Sequence, residues 1–391
     1  MTAWLLGPPC LLIAAAWAAG IGWFLAFLRP PARRAEGKVT LLLAVTGRTP
    51  GLPPLFAALA RQTLRPRRLL AAVESTADPA HAQLRELAPL LPCPLEIVVA
   101  GVAETRSQKA TNMIAACARL DAEDDALVLL DADILPQDHW LSALATPALN
   151  GDYDVVTGYR WHALDGAGPV RHLVAWLDRA LALGPRFLAS GLVWGGSVAI
   201  GRAALARMDL PGALARTFST DGAISRRARA LELRVLTRRA VLLPTPPEGG
   251  DREAWAFKKR QLQIVRVYVP SLWVIMGIAL HIEALALPLA VLALAGDAVA
   301  AGFLAPVMAL GLARAAAHDH VTRHIGVAEG RPARLAQHAC GLLTPLTAPA
   351  ILALFWASAR WRRIRWRHVE YEVHGPEEVR VLRRHPPGAT A

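Results

Sequence analysis

The sequence predicts an α/β chain: a doubly wound sheet set between hydrophobic segments at both ends. Three observations carry this. Strand-like and helix-like runs alternate between residues 38 and 159, the pattern of βαβ units around a parallel sheet. Long apolar stretches occupy residues 4–28 and most of the chain beyond Pro270. Residues 127–140 read LVLLDADILPQDHW, a short apolar run closed by Asp131-Ala-Asp133. A buried parallel strand has this look when it delivers side chains to its carboxyl edge, where ligands bind in open α/β sheets.

Two carboxylates one residue apart at such a tip suit a divalent cation held between protein and a diphosphate. The plainer alternative makes Asp131 a turn cap and leaves Asp133 in solvent. The rest of the chain weighs on that choice.

The chain has 391 residues, enough for two or three units, and 54% are hydrophobic, high for a protein without membrane segments. Its net charge is +12, but the arginines sit beside apolar stretches and not among exposed aromatics and glycines. That favours anionic lipid over nucleic acid. The cysteines, Cys10, Cys93, Cys117 and Cys340, are far apart and form no Cys-x-x-Cys. Neither a zinc site nor a disulfide framework follows, and a reducing compartment fits.

In order, residues 4–28 are uncharged and exceed the ~20 residues of helix a bilayer core needs. Arg29, Arg33 and Arg34 follow at once, with no Lys or Arg before the segment. That predicts an anchor with its N-terminus outside and Arg33 in the cytoplasm. Ala16-Trp17-Ala18 resembles a signal-peptide cleavage site, but the basic n-region is missing. Strands are expected at 38–46, 68–74, 95–100, 126–131 and 153–159, and helices at 53–62, 79–90 and 107–120. No Gly-x-Gly-x-x-Gly and no Gly-Lys-Ser/Thr occurs, which argues against a Rossmann dinucleotide site and a P-loop.

Gly195-Gly196-Ser197 reads either as backbone approaching a ligand or as a bend before a strand. Asp221 opens a helix, where an N-cap role is the plain alternative to chemistry. After a Pro- and Gly-rich loop at 244–250, residues 255–268 are basic and amphipathic: Lys258, Lys259, Arg260 and Arg266 interleave with Phe257, Leu262, Val265 and Val267. That predicts a helix at the membrane interface. Apolar runs at 272–296, 299–317 and 340–358 follow. His281 and Glu283 in the first are ionisable groups at membrane depth, either paired with each other or facing a groove. A cytoplasmic catalytic segment and a cytoplasmic, Arg- and Trp-rich tail (360–367) need an even number of crossings between them. The third run, carrying Pro345 and Pro349, is therefore expected to be re-entrant or in-plane.

The order of these pieces resembles the family-2-type glycosyltransferases, most closely the ceramide glucosyltransferase branch together with the bacterial hopanoid-associated glycosyltransferases. The similarity runs from about Lys38 to Val379 and rests on several short motifs in order. Val73-Glu74-Ser75-Thr76-Ala77-Asp78-Pro79-Ala80 is similar to the family's first acidic stretch, which makes Glu74 or Asp78 the residue that holds the nucleoside. Lys109 and Asn112 match its Lys-x-x-Asn. Asp131-Ala-Asp133 matches the second acidic motif, and Asp221 matches the third, the catalytic base. Gln263-Ile-Val-Arg266-Val267 stands where the family has Gln/Arg-x-x-Arg-Trp, with Val for Trp; a second register uses Arg260 and Gln263. The tail at 361–373 resembles the family's C-terminal stretch.

The resemblance implies a GT-A-type doubly wound mixed sheet with N- and C-terminal transmembrane helices. It divides the chain into an anchor (1–30), a catalytic domain (36–254), an interfacial helix (255–268), membrane helices (270–358) and a basic cytoplasmic tail (359–391). It further implies a multi-pass protein of the bacterial inner membrane, with the catalytic domain cytoplasmic. The implied reaction moves a sugar, glucose or N-acetylglucosamine, from a nucleotide-sugar donor, a UDP-sugar foremost, to a membrane lipid hydroxyl. Asp133 and Asp131 would hold Mg²⁺ or Mn²⁺, Asp221 would deprotonate the acceptor with inversion, and Gln263 and Arg266 would bind substrate. A processive polysaccharide synthase and a non-catalytic nucleotide- or lipid-binding scaffold are the alternatives.

Overall fold

The computed structural model describes residues 1–26, 36–164, 168–183, 191–245, 249–360 and 362–385. Arg29, Arg33 and Arg34, on which the expected orientation of the anchor rests, lie outside the described residues, as do part of the 244–250 loop and Trp361 of the tail.

The chain begins α1 (Thr2–Ala26), β1 (Val39–Ala44), α2 (Leu52–Ala60), β2 (Arg68–Val73), α3 (Pro79–Leu87), β3 (Leu95–Val99), α4 (Gln108–Cys117) and β4 (Ala126–Leu130). It continues through α5 (Trp140–Leu149), β5 (Val155–His162), α6 (Pro169–Leu183), β6 (Ser197–Gly201), α7 (Arg202–Met208), α8 (Leu210–Leu214), α9 (Thr220–Ala230) and β7 (Val235–Thr245). Then come α10 (Asp251–Tyr268), α11 (Pro270–Ala284), α12 (Ala286–Leu294), α13 (Ala298–His324), α14 (Arg331–Leu342) and α15 (Thr344–Ala359). It closes with β8 (Arg363–Trp366), β9 (Val369–Gly375) and β10 (Glu378–Arg384). These elements form two compact units. One comprises Met1–Leu28, Trp161–Leu188 and Pro246–Trp361; the other comprises Arg29–Arg160, Ala189–Thr245 and Arg362–Ala391.

The second unit is built on a sheet of order β3-β2-β1-β4-β6-β5-β7. β1 runs parallel to β2 and β4, β2 runs parallel to β3, and β6 is antiparallel to both β4 and β5. The sheet is therefore mixed, as a GT-A-type fold requires. Alternate residues of each strand feed two cores. Leu41, Leu43, Val128 and Leu130 pack with Leu55 and Phe56 of α2 and Leu141 of α5; Leu42, Leu127 and Leu129 pack with Met113 of α4 and Ile224 of α9. Covering both faces is what makes these strands continuous apolar runs. The reversal of β6 is not encoded in that pattern, because Ser-Val-Ala-Ile-Gly suits a buried strand in either direction.

The amino ends of β1 and β2 are pinned by Asp124, which is 3% exposed. Its carboxylate accepts from Arg67 Nη1 at 2.6 Å, Arg68 Nη2 at 2.7 Å, the Thr40 hydroxyl and the Asp121 N–H. Burial alone would raise its pKa; the bonds from Thr40, Asp121, Arg68 and Arg67 outweigh that and bring it down to about 2. Asp124→Ala removes the acceptor shared by Arg67, Arg68, Thr40 and the Asp121 N–H, while both guanidinium groups keep Asp121, and is expected to lower the melting temperature. The sign of its pH dependence follows from the lowered pKa. The wild-type increment is fully present above the ordinary value of 3.8 and is lost as pH falls towards about 2. Thermal melts of wild type and Asp124→Ala should therefore differ at neutral pH and converge over that acid window.

The tail, expected as a basic strip on an anionic leaflet, folds into an antiparallel sheet of order β10-β9-β8 and belongs to this second unit. Alternation in Val369, Tyr371 and Val373, all buried, against polar Glu370 and Glu372 gives it one covered face.

The first unit is helical. Among the described residues, three helices are long and apolar enough to cross a membrane: Thr2–Leu25, Pro270–Leu294 and Ala298–His324. Trp4 meets Phe303 edge-on at 5.4 Å where α1 packs on α13. α13 and α14 approach so closely at Gly311 and Gly341 that neither has room for a Cβ, the small-residue contact of membrane helices. The third apolar run is the second arm of a pair, Arg331–Leu342 and Thr344–Ala359, bent by 91°. The break falls at Leu343, not at a proline. Pro345 lies in the first turn of α15 and Pro349 inside it; the first turn tolerates proline because its N–H has no intrahelical partner. His281 does not pair with Glu283: its Nδ1 faces the Gly277 carbonyl at 2.6 Å, and its Nε2 accepts from the Trp356 indole at 3.2 Å.

The expected interfacial helix is the carboxyl part of α10, which starts at Asp251 with Glu253 accepting from the Gly250 N–H. Its basic face is partly internal. Lys258 is 2% exposed and pairs with buried Asp178 of α6 at 2.5 Å. Residue 257–266 periodicity shows that charges and apolar groups lie on different faces, but not that a buried carboxylate waits for one of the charges.

Candidate active site

The site forms at the carboxyl edge of β1 and β4, neighbours at the point where the sheet's winding reverses. β4 ends at Leu130, opposite Leu43 of β1 and Ser197 of β6. Asp131 is thus the first residue beyond the edge, and its N–H faces the Gly196 carbonyl at 3.4 Å. The turn that carries Asp133 is backed by Gly51, where a Cβ would overlap the Ala132 carbonyl and crowd the Asp133 Cα.

Lys109 of α4 is the electrostatic centre. Its Nζ donates to Asp131 Oδ1 at 2.6 Å. Burial pushes its pKa down, but Asp131, Asp221 and Asp133 together push it further up, so the ammonium stays charged well above the usual range. Three carboxylates around one ammonium leave the cluster with a formal charge of two negatives. That surplus suits a divalent cation. Among the described residues no three His, Cys, Asp or Glu side chains converge to hold a metal. An all-protein cage is thus not built here, and a hard cation drawn by this charge would have to complete its shell with phosphate and water.

Asp221 is not the helix cap. Ser219 caps α9 by accepting from the Gly222 N–H at 3.2 Å, and Asp221 stands in the first turn, where the helix dipole favours its charge. Its Oδ1 accepts from the Thr220 hydroxyl at 3.1 Å. Gly195 lies against it, and any Cβ there would overlap Asp221 Oδ1. The glycine pair therefore serves a close approach: Gly195 to a carboxylate, Gly196 to the Trp194 ring. Ser225 ties the two segments, donating to the Asp221 carbonyl at 2.7 Å and accepting from the Val193 N–H at 3.0 Å.

Asp78, expected as one of two nucleoside-binding carboxylates, is 5% exposed. Its Oδ1 accepts from Gly47 N and Ala80 N and its Oδ2 from the Thr46 hydroxyl, at 2.8–2.9 Å. It caps α3 and holds the loop after β1. Asn112 is likewise buried, donating to the carbonyls of Val45 and Ala72 and accepting from Gln108 Nε2. Glu74 keeps 14% of its side chain exposed, and the tail approaches both of its oxygens: Arg384 Nη1 at 2.8 Å and His368 Nε2 at 3.0 Å. Lys109, Asp131, Asp133 and Asp221 thus come together; Glu74, Asp78 and Asn112 line the adjoining edge of the same unit. Gln263 and Arg266 lie on α10 in the helical unit, Gln263 buried and Arg266 donating to the Ala359 carbonyl.

The sequence matches the family model for "Glycosyl transferase family 21" over residues 10–379. The chain belongs to glycosyl transferase family 21. It is a glycosyltransferase, and the resemblance read from its motifs holds at the level of this family, without separating the ceramide and hopanoid branches. No curated protein matches the sequence. Solved structures similar to this family 21 chain include the mannosyltransferase PcManGT from Pyrobaculum calidifontis in complex with GDP-Man and Mn²⁺, at 18% identity and a TM-score of 0.45, covering 90% of this chain and 97% of that one. Glucosyl-3-phosphoglycerate synthase from Mycobacterium tuberculosis in complex with Mn²⁺, UDP-glucose and phosphoglyceric acid is similar at 14% identity and a TM-score of 0.39, covering 63% and 82%.

Proposed function

We propose that this family 21 enzyme transfers glucose or N-acetylglucosamine from a UDP-sugar to the hydroxyl of a membrane lipid, ceramide- or hopanoid-like, with inversion at the anomeric carbon. The convergence of Asp131, Asp133 and Asp221 around Lys109 carries the reading. A nucleoside diphosphate leaves only when its developing charge is neutralised. Asp133 and Asp131 would hold Mg²⁺ or Mn²⁺, which when bound would supply a Lewis acid for that charge. Lys109 holds Asp131 in place. Asp221 accepts the proton of the acceptor hydroxyl as it attacks, and a single base with direct attack inverts the centre. Glu74 receives the nucleoside, since the acceptor positions of Asp78 are largely committed to its own loop. The apolar helices support a membrane-borne acceptor; the bacterial inner membrane, with the catalytic unit cytoplasmic, is the location this reading assigns.

The test is glycosylation by the full chain in detergent, offered UDP- and GDP-sugars with total bacterial lipid, in Mn²⁺ or Mg²⁺ and then in chelator. One metal-dependent glycolipid is the expected product. A soluble polymer would point to a polysaccharide synthase. Nucleotide binding without turnover of any donor would sink the enzymatic roles and point to a scaffold.

A further inference from the structure

We propose that the C-terminal sheet is a working part of the donor site, with Arg384, His368 and Tyr371 as positioning residues for Glu74 and for the start of α4. This rests on the donor reading above and extends it to residues some three hundred positions away.

A single guanidinium gathers three segments at this edge of the sheet. Arg384 donates to Glu74 Oε1 at 2.8 Å, to the Ala103 carbonyl at 2.7 Å and to Gln108 Oε1 at 3.1 Å. Those acceptors lie just after β2, just after β3 and at the first residue of α4. His368, in the turn between β8 and β9, sits 3.0 Å from the other Glu74 oxygen. The carboxylate is thereby fixed in plane, with lone pairs left to accept from a ligand.

The first N–H groups of a helix have no intrahelical acceptor. That of Gln108 is met by the Tyr371 hydroxyl at 3.0 Å. Tyr371 is fully buried, and burial pushes its phenol up to about 12, so it remains neutral at working pH. Lys109 is the next residue. Where α4 begins decides where the Lys109 ammonium meets Asp131. On the other side Tyr371 packs edge-on against Phe218 at 5.2 Å, directly before the cap of the helix that bears Asp221. A sheet that only covered an edge would need apolar contact. This one buries Val369 and Val373 for that purpose and adds three polar side chains that bond the segments presenting Glu74 and Lys109.

The experiment measures UDP and GDP binding and donor kinetics on the full-length protein, with melting temperature recorded for every variant. Arg384→Ala is expected to weaken nucleotide binding and raise donor KM about tenfold, the lower end of what outer-shell partners cost at metal sites, with kcat little changed. Arg384→Lys should recover only part of this, because one ammonium cannot reproduce the planar fork. Tyr371→Phe keeps the ring and removes the acceptor of the Gln108 N–H, and should move KM the same way. Because Arg384 acts through Glu74, Arg384→Ala and Glu74→Gln should combine non-additively. Arg380→Ala on the same strand should change nothing. Unaltered KM and nucleotide binding with a lowered melting temperature, or strict additivity with Glu74→Gln, overturns the proposal while leaving the donor reading intact. A wild type that binds neither UDP nor GDP overturns both.

Discussion

Asp221→Asn is expected to lower kcat by ~10²–10⁴-fold, the usual contribution of a positioned general base, while melting temperature holds. Asparagine keeps the size of the side chain and can still accept from the Thr220 hydroxyl at its oxygen. It cannot take a proton. The loss should therefore sit in kcat and kcat/KM together, as for a group used only in the transition state. Gly195→Ala offers an independent route to the same residue. The new Cβ would overlap Asp221 Oδ1, so the carboxylate must turn away although its chemistry is intact. Misplacement by about 1 Å can cost ~10²-fold, and that is the expected range. If Gly195→Ala retains full activity, the position assigned to the base is wrong, whatever Asp221→Asn does.

What the sequence made legible were the features written in local patterns. The continuous apolar run at Ala126–Leu130 required a strand covered on both faces, and the polar residues that end it required an edge. Asp221 marks a helix start, but pattern alone does not reveal that the cap is Ser219. Features set by tertiary partners were not legible. Asp78 and Glu74 both read as nucleoside carboxylates, because nothing within residues 73–80 reveals that Thr46 and Gly47 engage one and that Arg384 and His368 engage the other. The tail's strands were hidden by its charge: Arg and Trp density suits a lipid surface as well as a twisted sheet. Lys258 looked like an interfacial cation because its partner, Asp178, lies eighty residues earlier. Pro345 and Pro349 suggest a kink within the third apolar run, whereas the chain breaks at Leu343 and Pro345 lies in the first turn of the next helix.

Asp131→Asn should abolish the metal dependence of nucleotide binding. In the wild type, Asp131 and Asp133 oppose a single ammonium, and Asp221 adds a third negative charge nearby. Removing one carboxylate lowers the formal surplus from two negatives to one and takes away a hard oxygen ligand. Mn²⁺ affinity should fall about 10–100-fold, and UDP binding should become indifferent to chelator. Lys109→Gln changes the same balance in the opposite direction. With no ammonium among the three carboxylates, Mn²⁺ should bind more tightly, because the repulsion between two cations drawn to the same carboxylates is gone. The two variants thus predict shifts of opposite sign in a direct titration of Mn²⁺, with no sugar and no acceptor present. A scheme in which Asp131 serves only to close a turn predicts no shift from either. A scheme in which Lys109 is itself a metal-replacing cation for the diphosphate predicts that Lys109→Gln loses nucleotide binding in chelator, where Asp131→Asn does not. Titrating both variants with and without nucleotide separates the three, because only the cation-site arrangement makes Mn²⁺ affinity rise in one variant and fall in the other.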